Sequence, residues 1–167
     1  MIYCPLCATK LVEKEIDGRM RKACPAEGCG FVFWDNPVPV VAAIVEHEDA
    51  VILVRQPRWP EGFHGLVTGF LERDETPEQG VLREVKEELD LDGRVASLVG
   101  VYEFIRRNQV LIAYHVIAEG VVTLNDELEA WKSVPPDKLE PWGSGTGRAV
   151  RDWLDLRHRA SPSPAIR

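Results

Sequence analysis

The sequence predicts an α/β fold preceded by a small cysteine-rich unit, and three observations carry that expectation. Apolar, β-branched runs with strand patterning stand on both sides of one strongly signalled helix. A second amphipathic helix comes near the end of the chain. All four cysteines fall within the first 30 residues, as "CPLC" and "CPAEGCG".

Cys4 and Cys7, then Cys24 and Cys29, form two close pairs around the insert "KLVEKEIDGRMRKA". Asp17-Gly18 is a turn signal between two short stretches able to pair as strands. Thiolates in two such pairs suit tetrahedral Zn²⁺. Pro5, Pro25 and Gly30 favour small turns that aim amide N–H groups at sulfur. A redox Cys-x-x-Cys needs a thioredoxin-like strand–helix setting, which this segment lacks. Structural zinc is the expectation, and redox-active or metal-free thiols are the alternative. About thirty residues hold too little core to fold without such a staple. Residues 1–35 are therefore expected to be a zinc ribbon.

"WDNPVPV" (Trp34 to Val40) reads as a linker, because three of its residues resist helix formation. "VVAAIVEHEDAVILVRQ" reads as a hairpin, two apolar runs about an acidic turn. "PRWPEGFHG" is a Pro/Gly loop, and "LVTGFLE" is a short strand leading into a helix. "ASLVGVYEFIRR" and "NQVLIAYHVIAEGVV" are further strands about an Asn108-Gln109 turn. "WKSVPPDKLEPWGSGTG" reads mostly as loop. "GRAVRDWLDLRHR" is the final helix, with Val150, Trp153 and Leu154 on one face. The end of the chain, 159–167, is expected to be disordered.

The central helix carries the chemistry. Thr76 is its N-cap, Pro77 its first residue, and Gln79 the partner in a capping box. At about 100° per residue, Leu82, Val85 and Leu89 share one side. Glu84, Glu87 and Glu88 fall within an arc of about 100° on the nearly opposite side. A solvated acidic face is the plain explanation, and crowding like charges costs only a few tenths of a kcal/mol per pair. Repulsion alone therefore decides nothing, and the surrounding residues do.

The stretch reads Gly69-x5-Glu75-x7-Arg83-Glu84-Val85-x-Glu87-Glu88-x-Asp90-Leu91. It resembles the Nudix box, G-x5-E-x7-R-E-U-x-E-E-x-G-U with U aliphatic, at every position but the last glycine, which is Asp90 here. With the flanking strands the likeness covers roughly residues 38–157, within a Nudix hydrolase domain expected over 36–158. The resemblance implies a mixed β-sheet sandwiched between α-helices, holding a loop–helix–loop that binds Mg²⁺ or Mn²⁺. It implies a pyrophosphohydrolase acting on nucleoside diphosphates linked to another group. Hard cations prefer carboxylate oxygen, and three Glu that repel one another cooperate once cations arrive.

By the family pattern Glu84, Glu87 and Glu88 are metal ligands, and the Gly69 carbonyl completes a metal shell. Glu87 or Glu88 also serves as the base. Arg83 orients the carboxylates; its plain alternative is a surface pair with Glu87. Glu75 supports the site. Many family members take a base or fourth ligand from a later loop, where Glu127 and Glu129 are candidates or ordinary surface carboxylates. Asp90 stands where glycine permits positive φ, at a cost on the order of 1 kcal/mol. Val67 and Thr68 replace Pro and Gly of the common W-x-L-P-G-G strand, which bears on substrate choice more than on chemistry.

A zinc ribbon ahead of the box resembles NADH pyrophosphatases and a shorter group acting on FAD or ADP-ribose. The S-Q-P-W-P-F-P-x-S signature of the former is absent between Leu91 and Trp142, and their further N-terminal domain is not expected here. The shorter type fits better, through "CGFVFWDNPVPVVAAIVEH" as well as the box. Tyr102, Phe104 and Tyr114 on strands are candidates to stack adenine or flavin, with core packing as the alternative. Asn108 either bonds a base edge or makes the turn.

The formal charge is −7 and unevenly spread. Residues 37–147 carry ten basic and twenty acidic residues, a poor surface for a phosphate backbone. Nucleic acid is thus not the expected partner, and a small nucleotide is. No apolar run approaches the roughly 18–20 residues needed to span a bilayer. "MIYCPLCATK" has no basic leader followed by an apolar region, so the expected location is cytoplasmic, away from membranes. Homodimers are common among relatives with this architecture. The alternatives are a triphosphate-sanitising or RNA cap-removing enzyme of the same family, or a binding module without catalysis.

Overall fold

The computed structural model describes residues 1–160 of the 167-residue chain. Two compact units divide it, Met1–Asn36 and the remainder from Pro37 onward.

In the first unit, β1 (Val12–Ile16) and β2 (Arg19–Ala23) form the expected hairpin. Ile16 faces Arg19 across a turn in which Asp17 and Gly18 both have positive φ. A short β3 (Val32–Phe33) completes a three-stranded sheet. The four cysteine sulfurs gather within 4.8 Å of one another, and all four are free thiols. Cys4–Cys29, Cys7–Cys24 and Cys7–Cys29 sulfurs stand 3.6, 3.4 and 3.6 Å apart. Tetrahedral ligands about 2.3 Å from zinc stand about 3.8 Å apart, so the set fits Zn²⁺ with little adjustment. The amides of Thr9, Ala26 and Phe31 are directed at the sulfurs of Cys7, Cys24 and Cys29, each two residues earlier. The hydroxyl and then the amide of Thr9 hold the Cys7 thiol below its ordinary value.

The second unit is a six-stranded mixed sheet with one helix on each face. β4 (Val38–His47) and β5 (Ala50–Arg55) form the expected hairpin, with Glu48 and Asp49 at positive φ in its turn. β6 (Val67–Phe70) pairs with the first half of β4, from Val40 opposite Phe70 to Ala43 opposite Val67. After α1 (Pro77–Leu89) come β7 (Asp92–Phe104), one turn of 3₁₀ helix at Ile105–Arg107, and β8 (Gln109–Glu119). β8 runs parallel to β4, and the other pairings are antiparallel. β9 (Ala130–Val134) pairs with β5, and α2 (Gly147–Ala160) follows.

Alternation along β4 builds both layers. Val41, Ala43 and Val45 pack with Val81, Val85 and Leu89 of α1. Val40, Ala42 and Ile44 pack with Ala149, Val150 and Trp153 of α2. A parallel central pair covered on both faces explains why β4 reads as a continuous apolar run.

Three expectations need correcting. The linker ends early, because Val38 already pairs with Gln109 at the start of β4. "WKSV" is strand rather than loop, since β5 offers it a free edge and the prolines begin only after Val134. α2 continues through Arg159 and Ala160, and the rest of the expected disordered end, 161–167, lies outside the described residues. Among the described residues no helix is long and apolar enough to cross a membrane.

Candidate active site

The site begins with how α1 starts. The Thr76 hydroxyl accepts from the Gln79 amide at 3.2 Å, and the Gln79 side chain accepts from the Thr76 amide at 2.8 Å. This fixes the phase of the helix, and therefore where each following carboxylate points. At the far end Asp90 adopts the left-handed conformation expected of it, φ 55 and ψ 25. Its amide donates to the Lys86 carbonyl, and its carboxylate pairs with Lys86 at 2.8 Å.

Arg83 organises the carboxylates. Its Nε and Nη2 hold Glu75 at 3.0 and 2.9 Å in a bidentate fork. Nη1 reaches Glu84 at 2.7 Å and Glu87 at 2.9 Å, while Nη2 also donates to the Phe70 carbonyl. With four partners, Arg83 is far from a lone surface pair. The fork, together with the Glu72 amide, holds the Glu75 carboxyl down at about 2. The same carboxylates push the Arg83 pKa above its ordinary value.

Glu84, Glu87 and Glu88 converge on one cavity of about 610 Å³ with Gly69, Arg83 and Glu72. Glu84 occupies the space a side chain at position 69 would need: a Cβ on Gly69 would stand 1.8 Å from its carboxyl. Burial pushes the Glu84 pKa up, against the opposing pull of Arg83. Glu88 lies deeper, only 2% exposed, and among the described residues its Oε2 has no hydrogen-bond partner. Burial first, then the charges of Glu84, Glu127 and Glu87, push it up to about 8. A buried carboxylate oxygen without a donor, beside two more carboxylates, is the chemistry of a hard-cation site. The residues present fit Mg²⁺ or Mn²⁺.

The later loop separates the two acidic candidates. The Thr123 amide donates to the Leu89 carbonyl at 2.9 Å, tying this loop to the end of α1. Glu127 then lines the cavity. Glu129 instead pairs with Arg55 at 2.7 Å, at the foot of β5.

The substrate-side residues divide as well. Phe104 lines the cavity. Tyr102 does not: it is 5% exposed, packs beneath α2, and donates to Asp152 at 2.8 Å. Tyr114 is in the core under α1, donating to Glu78 at 3.0 Å. Asn108 takes the left-handed conformation that closes the 3₁₀ turn, and its carbonyl accepts from Val38. Tyr102 and Phe104 alternate onto one face of β7, where Tyr102 packs with α2 and Phe104 reaches the cavity. Trp59, Phe63, Trp142, Arg107 and Gln109 also line the cavity. Aromatics in the Pro/Gly loop "PRWPEGFHG" were the available signal for the first two.

A family profile described as the NUDIX domain matches residues 36–154. Among curated proteins, the chain is 27% identical over 141 residues to "NAD-capped RNA hydrolase NudC" of Pseudomonas aeruginosa, covering 83% of this chain and 49% of that one. It is 25% identical to the protein of the same name from Pseudomonas fluorescens, covering 98% and 59%. The chain thus spans about half the length of the curated relatives it matches. Among solved structures, a NUDIX hydrolase from Nitrosomonas europaea superposes with a TM-score of 0.81 at 24% identity, covering 98% of this chain and 96% of that one. An ADP-ribose pyrophosphatase from Streptococcus suis superposes at 0.62 and 22% identity, covering 77% and 97%. At these identities the superpositions speak for the fold.

Proposed function

This chain belongs to the NUDIX domain family, and from that premise we propose that it hydrolyses the pyrophosphate bond of a nucleoside diphosphate derivative to two monophosphates. The substrate class is a dinucleotide or ADP-sugar: FAD, ADP-ribose or an NADH-like molecule. The observation that carries this reading is the unpartnered Oε2 of Glu88, buried at the floor of a cavity shared with Glu84 and Glu87. A binding module without catalysis has no use for three intact carboxylates placed so.

Glu84, Glu87 and Glu88, with the Gly69 carbonyl, would hold Mg²⁺ or Mn²⁺. Bound ions of this kind neutralise charge on phosphate oxygens and lower the pKa of the attacking water. The chain's own residues do the rest. Arg83 and Glu75 keep Glu84 and Glu87 oriented. Glu127, from the later loop, receives the proton of the attacking water or adds a fourth carboxylate. Phe104 borders the space for the organic part of the substrate. In the ribbon, Cys4, Cys7, Cys24 and Cys29 would hold structural Zn²⁺.

The names of the curated relatives favour one second reading: the same bond within a dinucleotide joined to the 5′ end of an RNA. The acidic second unit argues for recognition of the cap more than of the RNA chain. The test is phosphate release, coupled to a phosphatase, from FAD, NADH, ADP-ribose, diadenosine polyphosphates, nucleoside triphosphates and NAD-capped RNA, with and without Mg²⁺. The expected result is a metal-dependent preference for dinucleotides or ADP-ribose. A preference for triphosphates would move the protein to the sanitising class, and no turnover with either Mg²⁺ or Mn²⁺ would favour the binding module.

A further inference from the structure

By count the first unit, residues 1–36, is neutral, with five basic and five acidic residues. The fold sorts those charges by face. In the hairpin of β1 and β2, Lys14 stands opposite Arg21 and Ile16 opposite Arg19. The two-residue period of a strand therefore puts all three cations on one face of the sheet. Glu13 opposite Lys22 and Glu15 opposite Met20 occupy the other face. Both acidic residues of these two strands are thus turned away from Lys14, Arg19 and Arg21. Among the described residues no carboxylate forms an ion pair with any of the three. Like charges directly opposite one another weaken a strand pair, so Lys14 opposite Arg21 does nothing for the hairpin, whereas Glu13 opposite Lys22 supports it.

An aromatic ring completes the face. β3 pairs with β2, Ala23 opposite Val32, and the chain runs on to Trp34 beside Arg21. The Arg21 guanidinium lies 4.7 Å from the centre of the Trp34 ring, and its Nη1 donates to the Trp34 carbonyl at 2.9 Å. Its Nε is covered and has no acceptor among the described residues. Arg21 is therefore seated by the indole and not neutralised by a carboxylate. Trp34 itself remains 46% exposed, and Lys14 and Arg19 are exposed as well. Unpaired cations suit phosphates, and an open π-face suits a base that no partner strand covers. An acidic peptide would use the cations and leave the indole idle.

We propose that Lys14, Arg19, Arg21 and Trp34 form a binding face for single-stranded nucleic acid, with the cations on its phosphates and Trp34 against a base. The acidic charge that speaks against such a partner belongs to residues 37–147 and not to this face. Stacking and phosphate contacts read no base edge, so the face takes any sequence.

The test is fluorescence anisotropy of a labelled uridine decamer with the full zinc-loaded chain, without Mg²⁺. Three phosphate contacts predict a slope of about −2 in log K against log salt, hence binding weaker by about 20-fold at 200 mM than at 50 mM salt. Lys14→Gln and Arg19→Gln should each reduce that slope by about 0.7 and weaken binding by about 5- to 10-fold at 50 mM salt. Lys22→Gln makes the same change of charge on the opposite face and should leave both quantities as they were. Trp34→Ala should cost about 5-fold or more, and Trp34→Phe should restore most of it. Zinc content and thermal unfolding identify any variant that loses the fold of the first unit, and Arg19→Gln, at an exposed position by the turn, carries the reading if others do. Undetectable binding at 50 mM salt, equal losses in Arg19→Gln and Lys22→Gln, or a glutamate decamer competing as well as the uridine decamer would overturn the proposal. Binding is read without turnover, so its failure and that of the hydrolytic reading are separate events.

Discussion

Gly69 and Glu84 share one space: the Glu84 carboxyl stands where the β-carbon of any other residue at 69 would be, at 1.8 Å. The glycine at the head of the box is thus needed for its absent side chain, which leaves room for a carboxylate reaching back from α1. Gly69→Ala should displace Glu84 while leaving the strand intact, because the clash is with the movable end of a side chain. Activity should fall by about 100-fold or more, as expected of a reacting group misplaced by about 1 Å. Steady-state kinetics alongside thermal unfolding checks this. Wild-type kcat in a folded Gly69→Ala would contradict it.

Glu88 is buried without a donor, so its charge opposes folding until a cation arrives. Glu88→Gln should lower kcat by orders of magnitude, yet leave the metal-free Tm unchanged or raised. The rise in Tm on adding Mg²⁺ should vanish in this variant. Glu84→Gln should match its loss of kcat. Scanning calorimetry with and without Mg²⁺ separates these outcomes.

The same residue sets a pH dependence. Its folded-state pKa of about 8 lies above the ordinary carboxylate value, so the folded metal-free protein binds more protons than the unfolded chain between about pH 4.5 and 8. From this group, stability without metal should therefore fall as pH rises through that window. Metal binding requires the carboxylate and should release about one proton per protein at pH 7. Titrating Mg²⁺ in buffers of different ionisation enthalpy measures that number directly.

Arg83 depends on its fork. Arg83→Lys keeps the charge but cannot hold Glu75 bidentately while also reaching Glu84 and Glu87. The expected loss is about 10- to 100-fold in kcat/KM, with a lower Tm. Glu75, held at about 2, contributes stability that is present above the ordinary carboxylate range and lost as pH falls toward 2. Glu75→Gln should accordingly be destabilised at neutral pH and match the wild type near pH 2. Chemical denaturation across that range tests it.

In the ribbon, Cys4→Ser should lower bound zinc from about one per chain and weaken the unit Met1–Asn36. Metal analysis of purified protein reads this; full zinc content in the variant would contradict the assignment of Cys4 as a ligand.

Local signals carried much of this structure. The capping box at Thr76, the left-handed Asp90, and the turns at Asp17-Gly18 and Glu48-Asp49 each depend on a few neighbouring residues, and all were readable in sequence. What failed to show depended on distant partners. β9 exists because the edge of β5 was open, a fact invisible in "WKSVPP". Tyr102 is covered because α2, fifty residues later, brings Asp152 to its hydroxyl. Glu127 and Glu129 were indistinguishable until Arg55 captured one of them. The aromatic wall joins two loops far apart in the chain, and no periodicity links Trp59 to Trp142.

The most direct test of the central claim is hydrolysis of NADH and ADP-ribose by wild type and Glu88→Gln, each with Mg²⁺ and after chelation, with products identified by mass. Two monophosphates formed by the wild type only with metal, and turnover lower by orders of magnitude in Glu88→Gln, is the predicted result. Turnover that survives chelation, or that Glu88→Gln leaves intact, would contradict a metal-dependent pyrophosphohydrolase built on these carboxylates.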